Sequence, residues 1–199
     1  MRMMYNDPWA RSRITEPWVY WDDGFSKEEL DRLIEFCNKL ELEEAKTFEE
    51  GDSKARRSKV AFVNYDAETA WIFRILNGIL TNANNQFYEF DINGYAAFQY
   101  TEYHEEDNGY YDWHMDMSLG HDKGNLGETR KLSMTLCLND GFEGGEFLIN
   151  NTNESNPIVV PAKVGRAIIF PGWMLHTVKP VTKGVRKSIV VWCMGPKFK

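Results

Sequence analysis

The 199-residue chain carries 23 lysines and arginines against 30 aspartates and glutamates, a net charge of -7 with an isoelectric point near 5.2. That balance disfavours a general nucleic-acid or membrane-surface binder, whose affinity would come from basic patches. With 43% hydrophobic and 27% charged residues, the composition is that of one ordinary globular domain, able to bury roughly 70% of the surface its unfolded chain exposes.

The opening stretch MRMMYNDPWARSR lacks the apolar core of a signal peptide. No apolar run reaches the roughly 20 residues of a membrane span, so a cytoplasmic protein with no membrane partner is expected. The segment SKEELDRLIEFCNKL then predicts an amphipathic helix. Ser26 and Glu29 form a capping-box pattern, and Leu30, Leu33, Ile34, Cys37 and Leu40 recur at helical spacing. A charged loop, EEGDSKARRSK, leads into a short strand. DAETAWIFRILNGILTNANNQFYEF predicts a second helix opening at Asp66, with Trp71, Ile72, Ile75, Leu76, Ile79 and Leu80 in one stripe and Gly78 as a weak point.

From about residue 94 the pattern changes to eight short β runs: YAAFQYTEY, YDWHMDM, KLSMTLCLN, GEFLIN, NPIVVP, GRAIIFP, HTVKPV and RKSIVVWC. Turn residues between them predict an antiparallel sandwich or barrel. The expected fold is therefore mainly β with N-terminal helices, one domain with helical support over about 1–93 and a jelly-roll core over about 94–195. Cys37, Cys137 and Cys193 lie far apart in apolar surroundings and read as core residues, in a reducing compartment, with neither disulfide nor zinc spacing.

Within YYDWHMDMS, residues 110–118, the side chains alternate. Tyr111, Trp113, Met115 and Met117 share one parity, and Asp112, His114, Asp116 and Ser118 the other, the mark of a strand with two unlike faces. The Trp113, Met115, Met117 stripe is expected in the core. A His-x-Asp pair alone is usually solvated. His176, after a Pro-Gly turn in PGWMLHTVKPV, supplies a second imidazole, and two imidazoles with one carboxylate make the facial triad of non-heme iron(II) oxygenases. Ten residues on, Arg186 shares a strand face with Ser188, Val190 and Trp192. A planar guanidinium beside a hydroxyl suits a carboxylate, so Arg186 and Ser188 are expected to anchor a dicarboxylate.

These residues resemble an iron(II)- and 2-oxoglutarate-dependent dioxygenase of the prolyl 4-hydroxylase type. The resemblance rests on the order of YYDWHMD, RKLSMTLCLNDGFEGGEFLI and VGRAIIFPGWMLHTVKPVTKGVRKSIVVW, and covers about residues 95–194. It implies a double-stranded β-helix flanked by α-helices, with His114, Asp116 and His176 as iron ligands and catalytic centre and Arg186 on the distal carboxylate of 2-oxoglutarate. Tyr103 and Thr135 become cosubstrate contacts, and Cys137 stands where some relatives carry a tyrosine. Iron(II), 2-oxoglutarate and O2 are the implied cofactor and cosubstrates, with ascorbate as a reductant. The implied reaction is hydroxylation, coupled to decarboxylation of 2-oxoglutarate to succinate and carbon dioxide, of a prolyl residue in a protein or peptide. The alternatives are hydroxylation of a free amino acid or small metabolite, or a jelly-roll module that binds metal without turnover. Trp192, Arg130 and the pair Arg56 and Arg57 are candidate substrate contacts, while His104 and His121 are expected at the surface. Nucleic-acid demethylases of the superfamily carry a second arginine about six residues after the first, where this chain has Trp192, which disfavours a nucleic-acid substrate.

Overall fold

The computed structural model describes residues 16–45, 55–117, 127–150 and 157–198. Helix α1 spans Lys27–Cys37 and starts as its sequence requires. The Glu29 backbone N–H donates to Ser26 Oγ at 3.2 Å, and the Ser26 N–H donates back to the Glu29 carboxylate at 2.9 Å. Helix α2 spans Ala70–Ala83, four residues later than the pattern beginning at Asp66 suggests. The Asp66 carboxylate accepts the N–H groups of Glu68 and Thr69, which closes a turn ahead of the helix and moves the N-cap to Thr69. A π-helical turn, Asn84–Tyr88, extends α2.

Strands β1 (Val19–Trp21), β2 (Glu43–Glu44), β3 (Arg56–Arg57) and β4 (Lys59–Asn64) come from the N-terminal half. They are followed by β5 (Ala97–His104), β6 (Tyr110–His114), β7 (Glu128–Cys137), β8 (Glu143–Gly144) and β9 (Phe147–Asn150). The chain ends with β10 (Ile158–Val160), β11 (Ala167–Pro171), β12 (Leu175–Val178), β13 (Val181–Lys183) and β14 (Val185–Pro196). Each of the eight β runs expected from the sequence contributes a strand, while β1, β2, β3 and β8 are too short to show a period. A seven-stranded sheet runs β1-β11-β7-β14-β5-β4-β2, a five-stranded sheet runs β10-β9-β12-β6-β3, and β13 pairs with β8. The pairings are antiparallel, the arrangement of a jelly roll with helices against one face.

Period-two alternation divides the larger sheet into two faces. Leu132, Met134 and Leu136 of β7, Phe98 and Tyr100 of β5, and Ile189 and Val191 of β14 pack with Leu33, Ile72, Leu76, Ile79 and Leu80 of the helices. Cys37 and Cys193 lie in this core, where burial pushes both thiols up to about 12; all three cysteines are buried and free. The opposite face carries Tyr103, Ile168 and Phe170, which pack with Phe147, Ile149, Met174 and Val178 around the smaller sheet. The space between the sheets thus combines a dry apolar floor with the polar parity of β5, β7 and β14. No helix among the described residues is long and apolar enough to cross a membrane.

The strict alternation expected over 110–118 does not hold. His114 pairs with His176 and Tyr111 with Val178, so β6 carries one residue more than β12 across this interval, a β-bulge. The bulge brings Tyr111 onto the same face as His114, and β6 ends at His114 with Asp116 in the bend beyond it. Met115 is consequently exposed, at 45%, while Trp113 and Met117 are half-buried, so the stripe expected in the core is not part of it. Ser118 and His121 lie outside the described residues. His104, expected at the surface, is instead half-buried at the end of β5, with Nε2 at 2.8 Å from the Glu102 carboxylate.

Candidate active site

Three potential ligands converge where β6 meets β12. Asp116 Oδ1 lies 3.7 Å from His114 Nε2, and Asp116 Oδ2 lies 3.6 Å from His176 Nε2. One ligand atom of each residue falls within 4.8 Å of the others. His114 Nδ1 donates to the Asp112 carbonyl and His176 Nδ1 to the Met174 carbonyl, each at 2.8 Å, which fixes both tautomers because a carbonyl can only accept. Both Nε2 lone pairs therefore face the carboxylate, and the outer hydrogen bonds orient the rings as they do in metal-ligating histidines. Asp116 Oδ2 is buried with no hydrogen-bond partner among the described residues. Such a set of electron-rich atoms in a low-dielectric site is complementary to a cation.

The surroundings reinforce that electrostatic character. Burial, followed by the neighbouring His176, drives the His114 imidazole down to about 3, so it stays neutral and able to ligate. For Asp116, burial favours the acid form, but His176 and His114 outweigh it and hold the carboxyl below its ordinary range. Tyr111 stacks on His114 with ring centroids 3.5 Å apart, and Phe170 and Phe147 tilt against His176 at 4.7 and 5.6 Å.

Across the same pocket lies a carboxylate-sized anchor. Arg186 is 4% exposed, its Nη1 donates to Ser188 Oγ at 3.1 Å, and its Nε is buried without a partner among the described residues. Register places Tyr103 opposite Arg186, Thr101 and Cys137 opposite Ser188, and Thr135 opposite Val190. The guanidinium carbon lies 5.6 Å from the centre of the Tyr103 ring. The Gly-Gly-Glu turn has a local reason here. Gly145 adopts a φ of +65°, and a Cβ on it would meet Arg186 Cδ at 3.0 Å, so glycine lets the backbone pass against the arginine stem.

The pocket wall includes His114, Asp116, His176, Arg186, Tyr103, Thr135, Ser188 and Trp192. Arg130 stacks over Trp192 at 4.2 Å, next to the pocket and not on its wall. Arg57 is not on the wall: it is exposed and donates to the Asp107 carbonyl at 3.2 Å. Its neighbour Arg56 is the one that turns inward, because β3 pairs Arg56 with Tyr111 and Arg57 with Tyr110. The wall also includes Tyr111, Gln99, Phe147, Phe170 and Val178, which sequence reasoning missed. Only a bulge moves Tyr111 there, whereas Gln99 follows from its pairing with Val190 in β14.

A jelly roll holding a two-histidine, one-carboxylate triad opposite a buried arginine defines the class of iron(II)- and 2-oxoglutarate-dependent dioxygenases. Residues 98–194 match the profile of the 2OG-Fe(II) oxygenase superfamily. This core belongs to that superfamily and is of the prolyl 4-hydroxylase type. The PKHD-type hydroxylase PputW619_4316 of Pseudomonas putida is 36% identical over 89 residues, covering 43% of this chain and 38% of that protein. The chain thus matches little more than a third of the length of such curated relatives. In fold it is similar to a Pseudomonas putida prolyl-4-hydroxylase, with a TM-score of 0.70 at 18% identity over 92% of this chain and 95% of that one. It is also similar to a Trichoplax adhaerens prolyl hydroxylase in complex with a hypoxia inducible factor peptide fragment, with a TM-score of 0.71 at 16% identity over 91% and 84% of the two chains.

Proposed function

We propose that this protein hydroxylates a prolyl residue of a protein or peptide, coupled to conversion of 2-oxoglutarate to succinate and carbon dioxide. The observation that carries the reading is the opposition of the His114, Asp116, His176 triad to Arg186 and Ser188 across one pocket. The likeness in fold to prolyl hydroxylases, one of them bound to a peptide fragment, supports the substrate class.

The residues fit the implied groups. Nε2 of His114, Nε2 of His176 and the Asp116 carboxylate would hold iron(II), and Arg186 with Ser188 would grip the distal carboxylate of 2-oxoglutarate. When bound, iron with 2-oxoglutarate and dioxygen supplies the oxidising chemistry, one oxygen atom going to succinate and one to the substrate. The protein's own part is geometric. The backbone-anchored imidazoles hold the ligand atoms rigidly, Phe147, Phe170 and Val178 keep water away, and Trp192 and Tyr111 border the substrate side. Incubating the protein with iron(II), 2-oxoglutarate and a prolyl-peptide library tests the reading by mass spectrometry. It predicts peptides heavier by one oxygen atom on proline with matching succinate. Succinate formation stimulated by free amino acids or small metabolites and by no peptide would replace it.

A further inference from the structure

We propose that the substrate presents a carboxylate beside the carbon to be hydroxylated, and that Arg56 is the residue that receives it. The inference rests on the hydroxylase reading above and deepens it to a substrate class. Arg56 is half-buried on the pocket wall, with its guanidinium carbon 4.7 Å from the centre of the Tyr111 ring, which in turn stacks on His114. Its Nε donates to Ser58 Oγ at 2.7 Å, which leaves the outer edge of the guanidinium to the pocket; no carboxylate among the described residues lies within ion-pair distance of it. The stack on Tyr111 and the bond to Ser58 hold the fork in place, so little side-chain entropy remains to be lost on binding an anion.

Charge complementarity gives the reason for an anion. In the loaded site the charges of iron(II), Asp116, dianionic 2-oxoglutarate and Arg186 cancel. Arg56 is a further cation on the substrate side of that neutral centre. Arg130, stacked on Trp192, adds its field on the same side, since both guanidiniums lie within electrostatic reach of the Tyr111 hydroxyl. The rest of the chain is acidic, with a net charge of -7, so it repels anions in general and these arginines form a local exception. Arg186, occupied by the cosubstrate, is not available for this role. Two sources supply the chemistry: an acidic side chain next to proline in a peptide, or the α-carboxylate of a terminal or free residue.

The test is equilibrium binding to the full-length protein loaded with zinc(II) and 2-oxoglutarate, a pairing that prevents turnover. The probes are amide-capped peptides containing Glu-Pro or Gln-Pro, the same pair with Ala replacing Pro, and a neutral peptide ending in free or amidated proline. A carboxylate-bearing probe is expected to bind about tenfold tighter than its neutral partner, with a preference that weakens with salt and disappears in Arg56→Gln. Arg56→Lys should recover only part of it, because an ammonium lacks the planar fork. Whether the internal Glu or the free terminus carries the preference identifies the source. A preference shared equally by Pro and Ala probes would sink the prolyl reading and leave this inference standing. Equal binding of charged and neutral partners, or a preference that survives Arg56→Gln in a protein with unchanged thermal midpoint, would overturn it.

Discussion

At the scale of single residues, the account separates metal holding from cosubstrate holding. Arg186 shares no contact with the triad and is paired to Ser188, so its removal leaves the three ligand atoms where they are. Arg186→Ala should raise the concentration of 2-oxoglutarate needed for half-saturation by roughly 10- to 100-fold, the value of charge-assisted hydrogen bonds to a carboxylate. Iron(II) affinity, measured by titration without 2-oxoglutarate, should change little. An unaltered cosubstrate requirement would count against the anchor. These residues were legible because their chemistry is rare: two histidines, an aspartate and an arginine at this spacing have few other uses. Tyr111 and Arg56 were not. Tyr111 reaches the pocket by a bulge that no alternation pattern reveals, and the choice of Arg56 over Arg57 depends on the register of β3 with β6.

At the scale of elements, one ion-pair cluster ties the entry of the chain into the larger sheet. Asp22, just after β1, accepts from Arg166 Nε at 2.8 Å and Nη2 at 2.9 Å, just before β11, and lies 3.2 Å from Lys163 Nζ. Arg166, ahof burial, which opposes it, and Lys163 together hold the Asp22 carboxyl down at about 2 from an ordinary value of 3.8. Because the folded-state value is depressed, the stability this group contributes is present in full above pH about 4 and is lost as the pH falls through about 2. Asp22→Asn should therefore cost about 1 kcal/mol at neutral pH. The difference from the parent, measured by denaturant unfolding, should close between pH about 4 and pH about 2; a difference constant across that window would show that the pair contributes nothing through charge. The sequence announced α1 through its capping box but set α2 too early, since Asp66 and Thr69 are equally good caps and the Asp66 turn decides between them only in three dimensions. It showed the eight longer β runs and not the two-residue and three-residue strands, which owe their pairing to neighbours and not to a period of their own.

At the scale of the whole molecule, the jelly roll brings together residues far apart in the chain. His114 and Asp116 come from the smaller sheet's β6 and the bend after it, His176 from β12, and Arg186 from the larger sheet's β14. Fold class and triad were readable because the β runs and ligands follow one another in recognisable order, while the pairing order of strands and the face on which Met115 falls depend on closure of the two sheets. The central claim is that this architecture binds iron(II) and 2-oxoglutarate in one pocket. Anaerobic addition of iron(II) and then 2-oxoglutarate, followed by visible absorption, tests it most directly. The account predicts a metal-to-ligand charge-transfer band that needs both components and is lost in Asp116→Ala. Bound iron without such a band, or a band that persists in Asp116→Ala, would contradict it.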